Sequence, residues 1–86
     1  MNPLIFDDNF PVILNREMVE EKGIELSNLE RVALGQTPLF SSISSIQEGL
    51  RKVAEEVDGK IILLVNEKSY GGMFQDKFEY SYEVYR

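Results

Sequence analysis

The sequence predicts an α+β fold, a small antiparallel β-sheet packed against one main α-helix, with an N-terminal strand and a short helix beside them. Three stretches carry that expectation. "SSISSIQEGLRKVAEEVDG" repeats apolar residues at helical spacing, "KIILLVNEK" opens on an unbroken apolar run, and "KFEYSYEVYR" alternates residue by residue.

In chain order, "FPVILN" reads as a short strand, with Pro11 favouring its start or a sheet edge. "NREMVEEKG" reads as a short helix capped by Asn15 and stopped by Gly23. "NLERVALG" admits two readings. Leu29, Val32 and Ala33 suit a helix, and Ser27 with Glu30 has capping-box spacing. Alternation suits a strand, with Glu30, Val32 and Leu34 on one side. The strand is preferred because a hairpin downstream needs a third strand to be stable. "GQTPLFSS" is then the crossover loop.

The main helix is expected from Ser42 to Val57. Ile43, Ile46, Leu50, Val53, Ala54 and Val57 form its apolar stripe, while Gln47, Glu48, Arg51, Lys52, Glu55 and Glu56 fall on the other side. The serines at 41, 42, 44 and 45 offer N-caps, with Ser45 and Glu48 spaced as a capping box. Gly59 suits a left-handed position just past the end. Gly49 weakens the helix by about 1 kcal/mol relative to alanine, which the apolar stripe offsets. Ile61 to Val65 do not alternate, as in a strand covered on both faces. A turn is expected over Ser69 to Asp76, around Gly71 and Gly72. In the last strand Phe78, Tyr80, Tyr82 and Val84 share one parity, and Lys77, Glu79, Ser81 and Glu83 the other.

From residue 29 the order is strand, helix, strand, strand. Together with "LRKVAEEVDGKIILLV", this order resembles that of dodecin-like and YbjQ-like small proteins. The resemblance implies a three-stranded sheet wrapping a helix and subunits assembling into rings or shells. No tryptophan is present to stack a flavin as dodecins do, so the likeness is one of architecture and no site is carried over.

Composition closes off much chemistry. The 86 residues make a single domain, 1–86, with a thin core, a size at which oligomerisation commonly buries more surface. There is no cysteine, hence no disulfide or thiolate, and no histidine, hence no imidazole base or ligand. The net charge of −6 opposes phosphate backbones and anionic membranes, so neither nucleic acid nor membrane is expected as a partner. The start "MNPLIFDD" lacks a basic segment followed by an apolar one, and the longest apolar run is five residues. A soluble cytoplasmic protein is the expectation.

Candidate surfaces follow from the aromatics. Tyr80 and Tyr82 read first as core, second as a subunit interface, third as a platform for a planar ligand. Tyr85 has the opposite parity and reads as the outermost tyrosine, so it is the better interface candidate. Tyr70, Met73 and Phe74 lie around two glycines in the expected turn, where apolar side chains suggest a contact surface. The second face of Ile61–Val65 needs a cover, either the N-terminal segment (Leu4, Ile5, Phe6, Val12, Ile13, Leu14) or another subunit. The serines before the main helix favour an anion with Thr37 or Lys52, although capping explains them alone. The paired acids Asp7–Asp8, Glu20–Glu21 and Glu55–Glu56 diverge and read as solvated faces.

No catalytic residue, cofactor or metal site is nominated by spacing. Carboxylates alone can do acid–base work, so an enzyme is the least favoured class rather than a closed one. The favoured class is a non-enzymatic protein-binding or self-assembly module. The other is a small-molecule-binding protein whose site lies at a subunit interface lined by tyrosines.

Overall fold

The computed structural model describes the backbone of residues 5–7, 9, 11–37, 42–71 and 76–86, and their side chains except at 69–71 and 76–78. The elements are β1 (Val12–Leu14), α1 (Arg16–Glu21), a 3-10 turn (Leu26–Asn28), β2 (Arg31–Gln36), α2 (Ile43–Glu56), β3 (Ile61–Gly71) and β4 (Asp76–Tyr85). They form an α+β domain with one four-stranded sheet in the order β1-β3-β4-β2. β4 runs antiparallel to both β3 and β2, as the sequence predicts. The N-terminal strand joins parallel to β3, Val12 against Ile61 and Leu14 against Leu63, which makes the sheet mixed. "NLERVALG" resolves as the 3-10 turn's end followed by strand β2.

α2 sits where its stripe predicts, with Ile46, Leu50 and Ala54 buried and Ile43, Val53 and Val57 packed around them. Its caps differ in detail from the sequence reading. The N-cap is Ser42, whose hydroxyl accepts from the Ser45 amide at 3.3 Å, so Ser45 lies inside the first turn and no Ser45–Glu48 box forms. At the other end Asp58, not Gly59, takes the left-handed backbone, with φ 54°. The Gly59 amide donates to Ala54 O at 2.7 Å and the Asp58 amide to Glu55 O at 3.3 Å, the paired bonds of a Schellman end. Glycine is required at 59 for a different reason: a Cβ there would lie 2.2 Å from Val84 Cγ1, where the helix end meets β4.

α1 is shorter than the sequence suggests, but its stops are the predicted ones. Asn15 Oδ1 accepts from the Met18 amide at 2.8 Å, and Gly23 turns the chain with φ 69°.

Two bulges set which side chains share a face. The β2–β4 register slips between Arg31 and Ala33, and the β3–β4 register between Leu64 and Asn66. The first bulge separates residues that simple alternation places together: Val32 and Ala33 both pack under α2, while Leu34 points away and is 65 % exposed. Ahead of the second, simple alternation sends Ile62 and Leu64 to the α2 core and Ile61, Leu63 and Val65 to the opposite one, and beyond it Glu67 pairs with Tyr80. β3 also runs on to Gly71, so Ser69 to Gly71 are strand rather than turn.

The second face of β3 is covered from within the chain, partly by the N-terminal strand as expected and partly by α1 and the 3-10 turn, which the sequence reading missed. Leu63 and Leu14 pack with Val19 of α1, and Met18, Ile24 and Leu26 close around them. Of the N-terminal residues expected there, Val12 and Leu14 do join this cluster, and the others described go elsewhere. Ile5 is buried in the α2 core with Phe6 against it, and Ile13 belongs to that same core. No second subunit is needed over Ile61 and Leu63, because α1 and the 3-10 turn bury that apolar surface.

Candidate functional site at an open sheet edge

The described side chains among the aromatic candidates, those of Tyr80, Tyr82 and Tyr85, do not line one surface. Tyr80 is core, 4 % exposed, beneath α2. Its amide donates to Thr37 Oγ1 at 2.9 Å while the Thr37 amide donates to Tyr80 O at 2.8 Å, extending the β2–β4 pairing by one residue. Burial, reinforced by the Glu67 carboxylate beside it, pushes the Tyr80 phenol up to about 12. Tyr82 lies half-buried on the same face, across Gly35 of β2. A Cβ on Gly35 would stand 2.8 Å from the Tyr82 hydroxyl, so only glycine lets that ring cross the strand.

Tyr85 has the opposite parity, as the alternation predicts, but it is not a free outer residue. It packs against the Leu14–Val19–Leu63 cluster because α1 covers this end of the sheet. Its hydroxyl donates to Glu83 Oε1 at 2.5 Å, and burial followed by that bond raises its pKa. Arg31 Nη1 stands 3.9 Å from the other oxygen of Glu83. Tyr70 is placed by its backbone in β3, opposite Lys77. Met73 and Phe74 lie outside the described residues.

A different site emerges, at the sheet's edges. At the β1 edge, the amide of Ile13 donates to Asp7 O at 2.9 Å, and Ile13 O accepts from the Asp7 amide at 3.1 Å. The outward groups of that strand's central residue are therefore occupied. Asp7 is itself held by Arg51 of α2, and Gln47 Nε2 of the same helix donates to Ile5 O at 2.8 Å. Gln47 and Arg51, which the pattern assigns simply to the polar side of α2, are straps for the N-terminal segment. The Asn9 amide bond to Asp7 Oδ1, opposed by some desolvation and aided by Arg51, holds the Asp7 carboxyl below the usual range.

The β2 edge has no such cover among the described residues. The Thr37–Tyr80 bond fixes the phase of the ladder: Ala33, Gly35 and Thr37 turn their backbone groups to β4. Leu34 and Gln36 must then turn theirs outward, and none of the described residues bonds to them. Leu34 is the exposed large apolar side chain among those residues. It borders an open hollow of about 380 Å³ lined also by Gln36, Val65, Ser81 and Glu83. The sequence signal for this site was present in the uncharged run "VALGQT", with no proline or acid to blunt a sheet edge.

Among the described residues, no three acidic side chains come together to hold a metal ion. No helix among them is long and apolar enough to cross a membrane. Fold and site define a small α+β domain whose β1 strand is covered at Ile13 and whose β2 strand has no cover among the described residues. No family model, no curated protein and no solved structure matches the chain.

Proposed function

We propose that the protein is a non-enzymatic protein-binding module whose β2 edge accepts an extended strand from a partner. One observation supports this reading above the others: Leu34 and Gln36 present outward backbone donors and acceptors beside an exposed leucine. Added strands gain affinity from such main-chain groups and specificity from alternate side-chain sites. Here the alternate sites are Leu34 and the hollow beside it. The partner is protein, and its setting is the cytoplasm, which fractionation of the native cells checks.

Selection of peptides from a displayed library, followed by amide chemical-shift mapping, tests the docking edge. Binders that shift the Leu34 and Gln36 amides, and that lose binding to the Leu34→Lys variant, support it. Binders that act on the outer surface of α2, or no binders at all, contradict it.

A second reading keeps a small molecule between subunits, with Tyr82 at its margin. The hollow against β2 favours it, because a neighbouring strand would wall that hollow. Native mass spectrometry separates the two: a stable complex with added mass supports the ligand, and protein mass alone supports strand docking.

A further inference from the structure

We infer that the strand received by β2 is the β2 of a second copy, paired antiparallel about a two-fold axis at Gly35, joining two sheets into one. This rests on the reading of β2 as a docking edge and names its occupant.

The register follows from the backbone. Residues opposite each other across a ladder must share a face, so the axis passes through a residue rather than between two. With the axis at Gly35, Leu34 faces the partner's Gln36 and Gln36 faces the partner's Leu34. These are the residues whose N–H and C=O point outward, and each such pair exchanges both hydrogen bonds. The outward groups of Leu34 are then satisfied by the partner's Gln36, and those of Gln36 by the partner's Leu34. Other axes do worse. Centring on Leu34 sets Gln36 against Val32, where the register slips. Centring on Gln36 sets Leu34 against Pro38, which has no N–H to give.

Side chains agree with that choice. Glycine at the axis leaves no Cβ between the strands, and a non-hydrogen-bonded pair brings the two Gly35 Cα atoms to about 4.5 Å. The Tyr82 hydroxyl already lies over Gly35 and has no hydrogen-bond partner among the described residues. Pairing sets the two Tyr82 hydroxyls on either side of the axis. On the other face Leu34 loses its exposure beside the partner's Gln36 and diagonal to the partner's Leu34.

Charge and topology also select a copy over a longer array. Two chains of net charge −6 repel, but β2 carries no carboxylate, and its one charged residue, Arg31, lies away from the axis. The remaining repulsion is long-range and is screened by salt. At the far side of the sheet the Asp7 segment occupies the outward groups of Ile13, so β1 offers no free site for the same pairing, and a two-fold contact at β2 is used up by two copies.

Sedimentation equilibrium over a concentration series, with an isotope-filtered NOE on a mixture of labelled and unlabelled chains, tests this directly. The expected result is a species of twice 9.9 kDa that tightens with added salt and shows an intermolecular contact between Gly35 Hα protons. Leu34→Lys should weaken it by about tenfold or more. Gln36→Pro, which removes an outward donor that β4 does not use, should do the same, each variant keeping its circular dichroism. A chain that stays monomeric to about 1 mM overturns the inference. So does a dimer that lacks the Gly35 contact or survives both substitutions. The wild-type NOE decides the matter even if a variant fails to fold. In those cases the peptide selection above still judges the docking edge separately: peptide binding at Leu34 and Gln36 by a monomer would retain the docking edge and discard the self-pairing.

Discussion

The two edges of this sheet are built from similar material and end differently. β1 is three residues long and β2 six, and each has a single ladder partner. At β1 the chain returns, through Asp7, to occupy both outward groups of Ile13, and α2 fastens that return with Gln47 and Arg51. At β2 nothing among the described residues does the same for Leu34 and Gln36. Small domains commonly blunt an edge with proline, charge, a bulge or a covering segment. This chain uses a covering segment at one edge, and at the other it leaves a regular apolar strand beyond the bulge. The difference teaches that this fold can cover an edge strand with its own chain, and that no described residue does so at β2.

The comparison can be broken by substitution. Ile13 is fully buried at the closed edge, whereas Leu34 is 65 % exposed at the open one. Ile13→Ala should cost about 2–5 kcal/mol in urea unfolding, and Leu50→Ala beneath it about as much. Leu34→Ala should change monomer stability by less than about 0.5 kcal/mol. A large loss at Leu34 would mean that it is packed, and the open edge would be misread.

A pH titration probes the far end of β2, which Tyr80 secures through Thr37. The Tyr80 phenol is raised above its ordinary value of 10, so the folded state retains the proton more tightly than the unfolded chain. The stabilisation is complete below pH 10 and declines between pH 10 and about 12 as the unfolded chain releases its proton first. Its total is about 2–3 kcal/mol, at 1.36 kcal/mol for each pKa unit. Tyr80→Phe should flatten that decline.

Acid probes the closed edge. The Asp7 carboxyl is lowered, so its contribution is present above the ordinary carboxylate range and is lost as pH falls through the folded value. Protection of the Ile13 amide, corrected for intrinsic exchange, should fall there while Gly35 stays protected. If both fade together, the Asp7 segment is not what closes β1. Arg51→Met should loosen the same segment at neutral pH, and by exposing a second edge should add species larger than a dimer.

Much of this architecture was legible in the residues. The stripe from Ile43 to Val57 gave α2 with its Ser42 and Val57 boundaries, and the parity of Tyr80, Tyr82 and Val84 gave the inner face of β4. The bulges at Val32 and Val65 were not legible, because one inserted residue changes facing without changing composition. That shift moved Leu34 from the side of Val32 to the open face. The cover over Leu63 was also missed: a six-residue helix such as α1 is marginal alone and is stabilised by the cluster it completes. Tyr85 was read as outermost for the same reason. The candidate site was least legible, since it consists of backbone groups, and which of these are paired depends on strand order.

Amide hydrogen exchange, followed residue by residue at low and high protein concentration, tests the central contrast most directly. In dilute solution Leu34 and Gln36 should exchange freely, while Gly35 between them and Ile13 at the other edge stay protected. Raising the concentration should protect Leu34 and Gln36 and leave Ile13 unchanged. Leu34 and Gln36 as slow as Gly35 in the most dilute sample would show that the chain covers this edge itself, and would contradict the account.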